Sequence, residues 1–303
     1  MREQIEAFLG SLQEGKGYSN NTIIAYRNDL GQFLEFLWGK MNISSWGEVS
    51  RDHLAAYVEC LRNDHEYASA TVARKVAATK SFFRYLVDQQ LVQNDPSATL
   101  DSPKVRKYLP TAISQEEVER LLNAPAKDRS ARGLRDCALL ELLYATGMRV
   151  SEVVALNVED INLAEGCVHC ANRVGKTRQH LIPIYRRAAE ALRAYLEQSR
   201  ERLLRKADQE ERALFLNHRG HRLTRQGLWL IIKKYAEEAG ITSPVTPHTL
   251  RHSFAAHRLS SGADLREVQG LLGHANVSTT QLYAQIGQEE EPGLRSEGRA
   301  RVR

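Results

Sequence analysis

Residues 133–158 read GLRDCALLELLYATGMRVSEVVALNV, and they set the class of fold. The first half is a strongly apolar helix of the kind that is buried on all sides. It stops at Gly147, a residue suited to ending a helix. MRVSEVVALNV then resumes as helix. The next stretch, EDINLAEGCVHCANRVGKTRQHLIPI (159–184), holds three short strand candidates, with Gly166 and Gly175 at or near the turns. It reads as a small antiparallel sheet. Helices return with RRAAEALRAYLEQSRERLL, and everything from there to residue 286 is helix or loop. With no internal repeat and no alternation of strand and helix, the fold class is mainly α with one small sheet.

Upstream, SQEEVERLL begins a capped helix at Ser114, with Glu117 three residues on and an apolar pair behind it. Before that lies NDPSATLDSPKVRKYLP (94–110), a linker composition with three prolines. The chain therefore divides near residue 105. Residues 1–93 read as helices. Ile23, Tyr26, Leu30, Phe33, Leu34 and Leu37 follow helical spacing behind a capping region at 19–21. A later helix turns Val72, Val76, Thr79, Phe83 and Leu86 inward. Its other side carries Arg74, Lys75, Lys80 and Arg84, which alone reads as a solvated charged face.

The 303 residues are enough for two domains, and 42% hydrophobic with 26% charged residues fits a globular chain. No apolar run reaches membrane-spanning length. MREQIEAFLG is acidic and amphipathic, unlike a signal peptide, so a cytoplasmic location is expected. A net charge of +5 permits a nucleic-acid partner without demanding one. The four cysteines are expected to be free thiols. CVHC (167–170) has the spacing of half a zinc site but lacks a second ligand pair, so it reads as ordinary strand cysteines. No metal and no cofactor are expected.

The polar residues of the second half form a constellation. In TPHTLRHSFAAH, His248 and Arg251 stand three apart on one helix face, His252 and Ser253 point elsewhere, and Phe254 faces the core. Arg149 follows Gly147 within apolar sequence and needs a partner or an anionic ligand. LLGHANVSTTQLYAQ (271–285) closes an apolar run with Gly273 and His274 and opens a further helix carrying Tyr283, with Ser278 and Gln281 placed as a capping box. Singly, Arg149 reads as a salt-bridge residue, His248 as a capping histidine and Tyr283 as a packed tyrosine. Together they suit phosphoryl transfer. Two guanidiniums fork onto the non-bridging oxygens of a phosphate. Two histidines hydrogen-bond it and trade protons. A phenol attacks it, with no need for metal or nucleotide.

TGMRVSEVVALNVEDI, TPHTLRHSFAAH and LLGHANVSTTQLYAQI, in this order and spacing, resemble the three signature stretches of Xer-type tyrosine recombinases within the phage integrase family. SNNTIIAYRNDLGQFLEF and LFLNHRGHRLTRQG resemble its N-terminal and mid-catalytic patterns. The resemblance implies a SAM-like helical core-binding domain with linker over 1–105, a catalytic domain over 106–286, and a polar tail over 287–303. It implies a site-specific recombinase that cuts and rejoins duplex DNA through a 3′-phosphotyrosine, in chromosome or plasmid dimer resolution. A short chain without an added arm-binding domain favours that setting over a mobile-element integrase. A topoisomerase of type IB and a DNA-binding relative that has lost catalysis are the competing readings. The implied catalytic residues are Arg149, His248, Arg251, His274 and Tyr283, with Glu152 orienting the site. The implied partners are double-stranded DNA bearing a specific site, further protomers in a homo- or hetero-tetramer on two sites, and an accessory recombinase or a translocase. No membrane partner is implied. In this light Arg74, Lys75, Lys80 and Arg84 become candidate DNA contacts, most of them to phosphates.

Two features depart from the family pattern. The family carries a lysine in the turn of its sheet, the general acid for the departing 5′ hydroxyl. In NRVGKTRQHLIPI its usual position falls on Arg173, with Lys176 at the second basic position. Arginine is a poor acid because its pKa lies above about 12, whereas a lysine pKa is readily lowered near positive charge. Lys176 is the favoured acid and Arg173 the alternative. After Ile286 the chain reads GQEEEPGLRSEGRARVR, which lacks the apolar face of the family's last helix. Either protomers contact one another differently, or Arg295, Arg299, Arg301 and Arg303 form a disordered arm near DNA.

Overall fold

The computed structural model describes residues 1–15, 18–101, 112–170, 180–205 and 211–273. The chain separates into two compact units, Met1–Tyr108 and Leu109–Arg303. Among the described residues no helix is long and apolar enough to cross a membrane.

The first unit contains helices α1 (Arg2–Gly15), α2 (Asn20–Met41), α3 (Arg51–Asn63) and α4 (Ser69–Asp88). The Ser19 hydroxyl accepts from the Thr22 N–H and starts α2, as the capping region at 19–21 predicts. Leu30, Phe33, Leu34 and Leu37 of α2 meet Val72, Val76, Phe83 and Leu86 of α4 in one buried cluster. Rings fill its centre, with Trp46 edge-on to Phe82 at 4.8 Å between centroids and Phe33 against Tyr57 at 4.8 Å.

The reading of α4 needs one correction. Lys75 does not lie on the exposed side. It is 6% exposed, and its Nζ sits 2.9 Å from Oδ1 of Asp29, itself 2% exposed. Arg74 bonds the other oxygen of Asp29 from the rim. Lys75 also lies over the Tyr67 ring at 5.2 Å. Two cations thus enclose one buried carboxylate, the condition under which burying charge is tolerated. Lys80 donates to the Leu100 carbonyl at 2.7 Å, and Arg84 is exposed.

The second unit is built around α6 (Ala131–Thr146), whose Ala138, Leu139, Leu140, Leu142 and Leu143 are almost fully buried. α5 (Gln115–Asn123) precedes it with the reciprocal Ser114–Glu117 capping box. α7 (Val150–Ala155) follows, then strands β1 (Ile161–Asn162), β2 (Cys167–Cys170) and β3 (His180–Pro183) in an antiparallel sheet of order β1-β2-β3. Val168 pairs with Ile182, and both face the core. In β2 burial alternates, so the half-buried Cys167 and the buried Cys170 lie on opposite faces. That geometry suits neither a shared metal nor a disulfide. The unit is completed by α8 (Arg186–Tyr195), α9 (Glu201–Leu204), α10 (Arg225–Glu238), α11 (Pro247–Ser260) and α12 (Leu265–Leu272).

Candidate active site

The site forms where α6, α7, α11 and α12 end or begin. α6 stops at Gly147, which has a left-handed backbone (φ +59°). A Cβ there would lie 2.5 Å from the Phe254 ring and 2.9 Å from Leu272, so glycine is required by space as well as by conformation. Gly273 closes α12 in the same left-handed way. Each of these helix ends leaves main-chain carbonyls without a partner inside the helix.

Two guanidiniums take those carbonyls. Arg251, one turn into α11 and 5% exposed, donates from Nη1 to the Gly147 carbonyl and from Nη2 to the Leu272 carbonyl, both at 2.5 Å. Arg149 caps the start of α7 and donates from Nη2 to the Gly273 carbonyl at 3.3 Å. The two arginines therefore converge on consecutive carbonyls at the end of α12. The negative end of a helix dipole favours both cations there.

Glu152 holds Arg149 twice. Its Oε2 accepts the Arg149 main-chain N–H at 2.8 Å, and its Oε1 accepts Arg149 Nη1 at 2.9 Å. One carboxylate thus sets both the backbone entry into α7 and the aim of the guanidinium. The Arg149 side chain stays 44% exposed, open to a ligand.

α11 starts at Thr246, whose hydroxyl accepts from the Thr249 N–H, with Pro247 at its first position. This places His248 in the first turn, exposed, and Arg251 on the same face one turn later. His252 stacks on His248 at 6.3 Å between centroids. Burial, and next the nearby His248 and Arg251, push His252 down to about 4, which keeps it neutral. Ser253 is buried and accepts the Ile113 N–H at 3.0 Å, while Phe254 packs in the core. Beside the site, burial pushes the Cys170 thiol up to about 11, with Glu152 adding to the effect, so this cysteine stays protonated.

The structure brings Arg149, Glu152, His248 and Arg251 to one part of the unit. Lys176, Arg173, His274 and Tyr283 lie outside the described residues. Among the described residues no group of three His, Cys, Asp or Glu side chains is placed to hold a metal ion. A cleft of about 380 Å³ in the same unit, lined by Tyr144, Tyr185, Phe254 and His257 among others, includes neither Arg149 nor Arg251. Sequence reasoning missed the carbonyl sockets at Gly147, Leu272 and Gly273. Two glycines ending apolar runs were the available signal.

Residues 111–290 match the Phage integrase family, and residues 5–90 match the N-terminal SAM-like domain of phage integrases. The chain is 51% identical over 289 residues to the tyrosine recombinase XerC of Roseiflexus castenholzii, covering 95% of this chain and 90% of that one. It is 42% identical to the tyrosine recombinase XerD of Oceanobacillus iheyensis, covering 93% of each. The fold is similar to that of the XerH site-specific recombinase, solved bound to a palindromic difH substrate after cleavage. That likeness has a TM-score of 0.74 at 22% identity, over 96% of this chain and 82% of the other.

Proposed function

We propose how the site works from one premise: the chain belongs to the phage integrase family and is a Xer-type tyrosine recombinase, an enzyme that cuts and rejoins DNA at specific sites. The convergence of Arg149 and Arg251 on the end of α12 carries the proposal. A scissile phosphodiester lies against these two guanidiniums, which neutralise its non-bridging oxygens. The phenolic oxygen of Tyr283 attacks phosphorus. A Tyr–O–P bond to the 3′ end forms, the bond to the 5′ oxygen breaks, and the phenol loses its proton while the leaving oxygen gains one. His248 and His274 hydrogen-bond the phosphate, and Lys176, with Arg173 as alternative, supplies the leaving group's proton. One phosphodiester is exchanged for another of similar energy, so rejoining is the reverse reaction.

DNA is the partner. Arg74, Lys80 and Arg84 are its proposed phosphate contacts in the first unit, and Lys75, buried against Asp29 where Arg74 keeps to the rim, is not among them. Four protomers on two sites, alone or with an accessory recombinase or translocase, complete the proposed assembly. The Xer relatives support chromosome or plasmid dimer resolution as the setting, and a cytoplasmic location accords with it.

The test is a nicked suicide DNA carrying a candidate site, run on a denaturing gel with EDTA present and no ATP. The parent protein should give a covalent adduct. Tyr283→Phe, which lacks only the phenolic oxygen, should bind equally and give none. An adduct surviving in that variant would remove Tyr283 from its role. Binding without an adduct in the parent would point to a relative that has lost catalysis.

A further inference from the structure

α7 has six residues, too few to persist as a helix without tertiary support. It nonetheless presents Arg149 at one end, so something must hold the other. The last carbonyls of a helix have no partner within it. In α7 the Val154 carbonyl, and just beyond it the Leu156 carbonyl, each accept Nη1 of Arg222 at 3.0 Å. Nη2 of the same guanidinium reaches the Asn157 side-chain oxygen at 2.6 Å and lies 3.6 Å from Glu211.

Arg222 comes from a loop more than sixty residues downstream that is itself anchored. The Leu214 N–H donates to the Leu156 carbonyl at 2.9 Å, and the Val158 N–H to the Arg212 carbonyl at 3.0 Å. Glu211 accepts the main-chain N–H groups of Ala213 and Arg222 at 2.9 and 3.2 Å. From the opposite side, Arg200 bonds the carbonyls of Glu211 and Ala213 at 2.6 and 2.7 Å. α7 thus has the Glu152 carboxylate at its positive end and the Arg222 cation at its negative end, each favourable to the helix dipole.

We infer that Arg222 is a positioning residue for DNA cleavage: by bonding the far end of α7 it fixes the helix that aims Arg149 at the scissile phosphate. Arg222 itself touches neither Arg149 nor Glu152. Its effect passes through the helix. The inference rests on the role assigned to Arg149 above, and the experiment separates the two.

Single-turnover cleavage is measured for the parent, Arg149→Ala and Arg222→Gln on two DNAs. One has the ordinary phosphodiester. The other has a methylphosphonate at the scissile position, which removes the negative charge that Arg149 neutralises. Arg222→Gln should cut ordinary DNA about ten- to a hundredfold more slowly, because small misplacements of a reacting group carry costs of that size. DNA affinity should be unchanged. On the methylphosphonate, Arg222→Gln and Arg149→Ala should both return toward the parent rate. A general weakening of the fold would slow both substrates equally.

If Arg149→Ala recovers and Arg222→Gln does not, the positioning role is wrong and the reading of Arg149 stands. If Arg149→Ala gains nothing on the methylphosphonate, the reading of Arg149 has failed and the inference falls with it. Parent-like cutting of ordinary DNA by Arg222→Gln also overturns it. Should Arg222→Gln fail to melt cooperatively, Arg222→Lys, which keeps the cation and loses the fork, is compared on the same two DNAs under the same criteria.

Discussion

A guanidinium and an ammonium differ as proton donors far more than as charges, and that difference bears on Arg173 and Lys176, in the sequence between β2 and β3. If Lys176 supplies the proton to the leaving oxygen, Lys176→Ala should be slow on ordinary DNA. It should recover on DNA with a 5′-bridging sulfur, whose thiolate leaves without a proton. Recovery by Arg173→Ala instead would assign the task to the arginine. His252 poses a second question at this scale. Its folded pKa of about 4 lies below the ordinary histidine value of about 6.5. Between those values the unfolded chain binds the extra proton, so stability falls as pH drops through this window, by at most about 1.4 kcal/mol per unit. Urea midpoints at neutral pH and near pH 5 should show a smaller acid loss for His252→Gln than for the parent. An equal loss would place the proton elsewhere. His248 and Arg251 were legible in the sequence because i, i+3 spacing puts them on one face of a helix. The stacking of His252 on His248 corrects the reading that turns His252 elsewhere: i, i+4 spacing, like i, i+3, makes neighbours on one helix face, so this contact was legible as well.

Elements were legible where local chemistry sets their ends. Ser19, Ser114 and Gly147 are read directly as caps because their hydrogen bonds stay within a few residues. Gly147 has in addition a long-range reason that no local pattern reveals, the Phe254 ring and Leu272 packed against its α-carbon. Gly147→Ala therefore meets both an unfavourable backbone and a collision. Overpacking alone costs about 1–3 kcal/mol, and the shift it forces moves the carbonyl that Arg251 holds. Denaturant titration should show a loss of at least that size, with cleavage falling more than binding. A variant as stable as the parent would mean that α11 and α12 yield more readily than their packing implies. Lys75 marks the limit of reading elements from sequence. A lysine beside Val76 looks solvated until Asp29, 46 residues upstream, is placed opposite it. Asp29 itself, between Tyr26 and Leu30, was the sign that this face of α2 had a charged partner.

At the scale of the whole chain, the apolar clusters of the two units share no residue. The division was legible because the proline-rich stretch 94–110 interrupts helical periodicity. What each core encloses was not, because buried polar partners come from distant segments. Asp29→Asn tests the separation. It leaves Lys75 buried without its counter-charge, a change worth about 3–5 kcal/mol. Calorimetry of the full chain should show one transition lowered and the other unmoved. A single transition shifting as a whole would show that the units melt together.

The Gly273 carbonyl, held by Arg149, is also an anchor for the chain that follows. Tyr283 is the tenth residue after Gly273, and ten residues of chain span at most about 33–36 Å. As a limiting case, a random-coil tether of that length would hold its end near its anchor at an effective concentration in the millimolar range. Water surrounds the same phosphate at a far higher concentration. Tethering alone thus gives a phenol no advantage over hydrolysis. In the proposed mechanism the choice of rejoinable ester over irreversible cut must come from the orientation of phosphorus and phenol, and Arg149 and Arg251, which meet at the end of α12, would fix the first of these.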